Sequence, residues 1–184
     1  MIKKVMRKLS FEEVKRKCLS LEELEKLPRN PIYVIAHNIR SLFNVGSIFR
    51  TSDALRVKKI FLTGFTGHPP RDEIEKVALG STKTVPWVYR RNVIEVINLL
   101  KKENVNIVAL EHTDCSIDFQ EFEYKFPSAI MLGNEYDGLP DYVIRMLECA
   151  VEIPMYGTKQ SLNVATAFGI VGYELIRQLK KGVK

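Results

Sequence analysis

From Ile32 onward the chain alternates short, largely apolar runs with stretches of helical period. IYVIAH is followed by a helix carrying Phe49 and Leu55, then KIFLTG, a helix through Ile74 and Leu79, a run at Val85 to Tyr89, and a helix opening at Asn92. VNIVAL, SAIMLG and CAVEIP come next, with a helix started by Pro140 between the last two. The final helix runs from Ser161 to Lys181 and stops at Gly182. This alternation constrains the fold more than any other feature, because strands apolar on both faces need cover on both faces. Such strands, connected through helices, predict an α/β fold with a mostly parallel sheet and helices on both sides.

The 184 residues, 46% hydrophobic and 27% charged, suit one globular domain with a small appendage and exclude collagenous or disordered chains. The appendage is the segment 1–30, ahead of a body spanning 31–184. Ser10 with Glu13 and Ser20 with Glu23 have capping-box spacing, so two short helices are predicted there. Leu9, Phe11, Val14, Leu21, Leu24 and Leu27 lend them an apolar side expected to dock on the body.

Twenty-eight Lys and Arg against twenty-two Asp and Glu leave a net charge of +6, which suits an acidic partner such as nucleic acid. Cys18, Cys115 and Cys149 form no C-x-x-C pair, which argues against a disulfide framework or zinc ribbon and for a reducing compartment. The basic N-terminus has no apolar segment behind it, and no run approaches the ~18 residues of a membrane span. A cytoplasmic protein without a membrane segment is expected.

Familiar nucleotide and hydrolase motifs are missing. No G-x-G-x-x-G follows the first strand. Gly133 and Gly138 have P-loop spacing, but Leu139 and Pro140 stand where Lys and Ser or Thr would hold phosphate and magnesium. G-x-S-x-G and H-E-x-x-H do not occur. His112, Asp114 and Cys115 are too few for a metal site, so none is expected, and His37 and His68 read as a strand-end and a loop histidine.

Three segments remain: NVGSIFRTSDA at Asn44 to Ala54, LGNEYDGLP at Leu132 to Pro140, and IPMYGTKQSLNVATAFG at Ile153 to Gly169. Each lies at or near the carboxyl end of a predicted strand, where open α/β sheets bind ligands. Local explanations exist for several of their residues. Asn44 and Ser161 could each serve as helix caps, Arg50 could be a solvated surface charge, and the glycines could make a plain turn. Glu135 is less easily explained that way.

Together the patterns N-x-G-x-x-x-R, G-N-E-x-x-G-L and I-P-M-x-G-x-x-x-S-L-N-V resemble the three motifs of the SpoU and TrmH branch of the SPOUT superfamily. These are RNA ribose 2′-O-methyltransferases that use S-adenosyl-L-methionine, and the resemblance runs from Ile32 to the end. It implies a deep trefoil knot within about 105–184. It also implies a homodimer in which each site is completed by the partner, with the terminal helix and the region after Asn44 at the interface. By the same resemblance Arg50, Asn44, Glu135, Ser161 and Asn163 are the catalytic set, and Leu110, Gly133, Ile153, Ser161 and Leu162 bind the cofactor.

The implied substrate is tRNA or rRNA, with tRNA favoured because no large N-terminal RNA-binding domain precedes the body. Arg40, Arg50, Arg71 and the basic arm are the candidate RNA contacts. A guanidinium stays charged in proteins, so Arg50 is expected to grip a phosphate and stabilise developing oxyanion charge rather than act as the base. One departure from the family pattern is Phe43, where many relatives have His or Pro. The competing readings are a non-catalytic RNA-binding or assembly factor that keeps the fold, and a base methyltransferase of a neighbouring SPOUT branch.

Overall fold

The computed structural model describes residues 6–182. Ser10 and Ser20 both form full capping boxes, with Glu13 and Glu23 returning the bond, and so open α1 (Phe11–Lys15) and α2 (Leu21–Lys26). The body then runs β1 (Asn30–His37), α3 (Leu42–Ala54), β2 (Val57–Thr63), α4 (Asp72–Ala78), α5 (Ser81–Thr84) and β3 (Trp87–Arg90). It continues through α6 (Val93–Lys102), β4 (Asn106–Leu110), β5 (Ile117–Asp118), β6 (Ser128–Leu132), α7 (Asp141–Ile144), β7 (Cys149–Glu152) and α8 (Val164–Lys181).

The strands form one sheet in the order β3-β2-β1-β6-β4-β7-β5, and every pairing is parallel. The two-residue strand β5, too short to carry a period, was not anticipated. β1 and β6 lie at the centre, and all five residues of β6 are buried. On one face Val34 and Ile130 pack with Ile48 and Phe49 of α3 and Phe168 and Leu175 of α8. On the other, Ile35 and Met131 pack with Ile97 and Leu100 of α6 and with Val143 of α7. Phe49 and Phe168 have no exposed surface, and truncating either to Ala would cost about 3–5 kcal/mol.

From β1 the chain moves outward through β2 and β3, then crosses to build the other half, with β6 against β1 in a register that pairs Ala36 with Leu132. The carboxyl ends of β1 and β6 therefore flank a topological switch point, where the crevice of an open α/β sheet lies.

Three local expectations need correction. The N-cap of α3 is Ser41, whose hydroxyl accepts the Asn44 N–H at 3.3 Å, so Asn44 sits in the first turn with its side chain free for other work. The N-cap of α8 is Asn163, whose Oδ1 accepts from Ala165 and Thr166 N–H, so the helix starts later than expected and Ser161 caps nothing. The apolar side of the arm is not docked: α1 buries none of its residues and Phe11 is 77% exposed.

A five- and a six-residue helix are too short to present a continuous stripe, and backbone carbonyls hold the arm instead. Arg56 donates to the carbonyls of Leu24 at 2.8 Å, Pro28 at 3.1 Å and Leu27, while Arg29 donates to those of Val57 at 3.2 Å and Thr84. The Leu21 side chain lies outside the described residues. Among those residues, no helix is long and apolar enough to cross a membrane.

Candidate active site

The loop after β6 folds back on itself. Asn134 and Gly138 exchange backbone hydrogen bonds at 3.1 and 3.0 Å, and Asn134 Oδ1 accepts the N–H groups of Tyr136 and Asp137. Glycine is required at both ends of this turn. A Cβ on Gly133 would lie 2.5 Å from the Gly138 carbonyl carbon, and one on Gly138, at φ +68°, would lie 2.4 Å from Glu111 Oε2. Glu111 secures the turn from outside by accepting the Leu139 N–H at 2.9 Å.

Glu135 projects from this turn to the start of α3. Its carboxylate accepts the backbone N–H of Arg40 at 2.8 Å and of Ser41 at 2.9 Å, and the Asn44 amide at 2.7 Å. Partial burial pushes its pKa up, but the Arg40 and Ser41 N–H groups and the Asn44 amide outweigh that and hold it below the usual carboxylate range. Asn44 Oδ1 in turn accepts the Asn163 amide at 3.0 Å. One chain of side chains, Asn163 to Asn44 to Glu135, thus joins all three motif segments across separations of 119 and 91 residues.

Beside it lies a cavity of about 340 Å³, within the range of small-molecule sites. Its walls include Leu110, Gly133, Glu135, Ile153, Ser161, Leu162 and Asn163. Every residue expected to hold the cofactor therefore faces one cavity. Glu111, His112, Asp137 and Glu152 also line it, whereas no Lys or Arg does. Sequence reasoning missed Glu111, and its signal was slight: a charged residue directly after an apolar strand. His112 is engaged with Glu152 at 3.2 Å, and no metal-binding cluster occurs among the described residues.

The structure does not bring Arg50 to this cavity. Six residues along α3 is about 1.7 turns, so Arg50 points away from Asn44. It lines a separate groove with Ser47, Thr51, Thr166, Gly169 and Tyr173. It is exposed and makes no hydrogen bond or ion pair among the described residues. Arg40 and Arg71 are exposed at the carboxyl edge of the sheet, where Arg40 contributes its backbone N–H to Glu135.

Residues 31–173 match the model of the SpoU rRNA methylase family, which covers most of the chain. The chain belongs to that family. A relative in Aquifex aeolicus, a tRNA (guanosine(18)-2′-O)-methyltransferase, is 34% identical over 85% of this chain and 74% of its own length. Among solved structures, the TrmH/SpoU tRNA modifying enzyme of A. aeolicus superposes with a TM-score of 0.80 at 30% identity, covering 93% of this chain and 84% of that one. An AdoMet-bound rRNA methyltransferase from Sinorhizobium meliloti gives 0.77 at 31% identity, covering 85% of this chain and 60% of that one. In this SpoU family chain, the parallel α/β sheet expected from the alternation, which has seven strands once the unanticipated β5 is included, is the fold those neighbours share.

Proposed function

We propose that this SpoU family protein transfers the methyl group of S-adenosylmethionine to a ribose 2′-hydroxyl of RNA. Its substrate is tRNA, and guanosine 18 is the first nucleotide to examine, in line with the Aquifex relative. The observation that carries the reading is the Asn163–Asn44–Glu135 chain beside a cavity walled by Leu110, Gly133, Ile153, Ser161 and Leu162.

The cavity fits the cofactor. S-adenosylmethionine bears a sulfonium and an ammonium against one carboxylate, and the lining offers four carboxylates and no basic side chain but His112. Leu110, Ile153 and Leu162 supply apolar wall for adenine, and Gly133 lets the backbone come close. When bound, the cofactor supplies a methyl group made electrophilic by its positive sulfur. The chain's own residues align a ribose 2′-oxygen with that methyl, and alignment alone is worth several kcal/mol.

Glu135 accepts from three donors that hold its carboxylate ionised at the start of α3, so it clamps that helix against the cavity loop rather than taking the proton. The Ser161 hydroxyl lines the cavity and makes no hydrogen bond among the described residues, so it is free to bind ligand.

Arg50 acts on a neighbouring protomer. Its groove between α3 and α8 carries exposed Ile170 and Tyr173, and a Cβ on Gly169 would meet nothing within 4 Å, which leaves room for a close isologous contact. In the dimer Arg50 of each protomer reaches the other's cavity, grips the phosphate beside the target ribose with its guanidinium fork, and stabilises charge developing on the 2′-oxygen. That phosphate or a water takes the proton. Residues 1–30 form the arm and 31–184 the catalytic body. The segment 105–184 is knotted, so that the Gly133–Leu139 and Ile153–Asn163 loops lie together at the cavity. The three free cysteines suit the reducing cytoplasm, where we place the activity.

Labelled methyl transfer to unmodified tRNA and, separately, to rRNA, followed by nuclease digestion, tests the reading. Label in a 2′-O-methylnucleoside of tRNA is expected. Label on a base would make the protein a base methyltransferase, and RNA binding without transfer would make it a non-catalytic factor.

A further inference from the structure

The turn after β2 holds an aromatic ring in solvent on a backbone pinned from several sides. Gly64 adopts φ +66°, and a Cβ there would lie 1.9 Å from Asn38 Oδ1. That same oxygen accepts the Phe65 N–H at 3.1 Å, and Asn38 is itself left-handed at φ 57°. The Gly64 carbonyl accepts from Tyr89 Oη at 2.6 Å, and its N–H donates to the Arg91 carbonyl at 3.2 Å. Thr66 is buried, donating to the Ala36 carbonyl at 3.0 Å and accepting the Ile39 N–H at 2.9 Å. Between these fixed neighbours Phe65 is 63% exposed.

A lone exposed hydrophobe is ordinary on a protein surface. Two further features set Phe65 apart. First, the segments next to it carry cations: Arg71 lies beside Gly67, Arg90 ends β3 in register with Thr63 at the end of β2, and Arg91, whose carbonyl accepts the Gly64 N–H, follows it. All three are exposed, and none pairs with a carboxylate among the described residues. Second, the Asn38 that holds the Phe65 N–H also accepts the Asn134 amide at 2.8 Å through its carbonyl. The ring is therefore joined through two residues to the loop that bears Glu135.

We infer that Phe65 stacks on an unpaired RNA base next to the nucleotide whose ribose is methylated, while Arg71, Arg90 and Arg91 contact the phosphates around it. The inference rests on the RNA methylation reading. A 2′-hydroxyl can be aligned for in-line attack only where the strand is drawn out of helical stacking, and the neighbouring base then needs a new surface. An aromatic face meets that need whatever the base, and cations alongside hold the backbone.

The test compares Phe65→Ala and Phe65→Trp with the parent, measuring equilibrium binding of an unmodified tRNA transcript, steady-state methyl transfer, cofactor binding and oligomeric state. Phe65→Ala is expected to weaken RNA binding and raise KM for RNA about tenfold, with kcat and cofactor affinity within about twofold. Phe65→Trp is expected to bind RNA like the parent. Joint substitution of Arg90 and Arg91 by Ala should reduce the salt dependence of binding by about two phosphate contacts.

Unchanged RNA affinity in Phe65→Ala, or its conversion to a monomer, would overturn the inference, the second result marking Phe65 as a contact between copies. A parent that methylates ribose while Phe65→Ala binds RNA equally well removes this inference alone. A parent that binds RNA through Phe65 but transfers no methyl removes only the catalytic reading, and a parent that binds no RNA removes both.

Discussion

Asn44 Nδ2 donates to Glu135 Oε1 at 2.7 Å, linking the first turn of α3 to the loop after β6. With Arg40 and Ser41 on the same carboxylate, the contact makes Glu135 the clamp on which the site is assembled.

Glu135→Gln turns a charge-assisted acceptor into an amide facing two backbone donors and the Asn44 amide. Because Glu135 is partly exposed, a loss of about 1–2 kcal/mol is expected, and so a fall in Tm of about 2–8 °C. Methyl transfer should drop at least about tenfold as the cavity loop loosens. Thermal melts and initial rates check both; a variant with parental Tm and rate would show that the clamp is dispensable.

Acid should act through the same carboxylate. The Glu135 pKa is depressed in the folded state, so its contribution is present above the unfolded value, about 4.3 for Glu, and is lost as pH falls through the lower folded value. Tm is therefore expected to decline below about pH 4.5. Glu135→Gln should decline less over that range in parallel melts, since it has no carboxylate there to protonate.

Arg50→Lys keeps the charge but loses the two-pronged grip. Turnover should fall about 100-fold or more, while cofactor affinity and Tm stay at parental values, because Arg50 is exposed and off the cavity. Near-normal turnover in single-turnover assays would refute the phosphate-gripping role.

If Arg50 serves the opposite protomer, two damaged chains should rescue each other. Arg50→Ala and Glu135→Gln protomers, each strongly impaired alone, are refolded together so that heterodimers form. In half of the dimers one site then has both an intact clamp and an intact arginine, which predicts recovery to about a quarter of parental activity. No recovery on mixing would place Arg50 and the cavity in the same protomer.

Gly138→Ala forces a side chain into a left-handed position and against Glu111. The backbone cost is about 1–2 kcal/mol. Displacing Glu111 also breaks its bond to the Leu139 N–H, so cofactor affinity by calorimetry should weaken about tenfold or more.

Much of this was legible in the sequence, for a physical reason that can be read residue by residue. The capping boxes at Ser10 and Ser20, the Asn92 cap of α6 and the apolar runs of β1, β4 and β6 depend on neighbours a few positions away or on burial alone, and both are written in local spacing. The five expected cofactor contacts came from motif resemblance, and the fold gathers them at one cavity. Local pattern could not choose between Ser41 and Asn44, or between Ser161 and Asn163, as helix caps, since each is chemically competent. The choice was made by what else the side chain could reach.

Asn44 is drawn to Glu135 and Asn163, partners 91 and 119 residues away, and that leaves Ser41 to cap α3. The direction of Arg50 follows from helical phase, but the separation of its groove from the cavity depends on how α3 and α8 pack on the sheet. The arm failed its expectation for the same reason: an apolar side is visible in sequence, but whether a surface exists to receive it is decided only in three dimensions. By itself the sequence determined the parallel α/β class and the starts of α1, α2 and α6, because each is encoded by short-range periodicity and residue chemistry, while the three motif segments were marked by their resemblance to the family. Only the tertiary structure decided which side chains meet, because a hydrogen bond between residues about a hundred positions apart exists only once the sheet order has brought the carboxyl ends of β1 and β6 together.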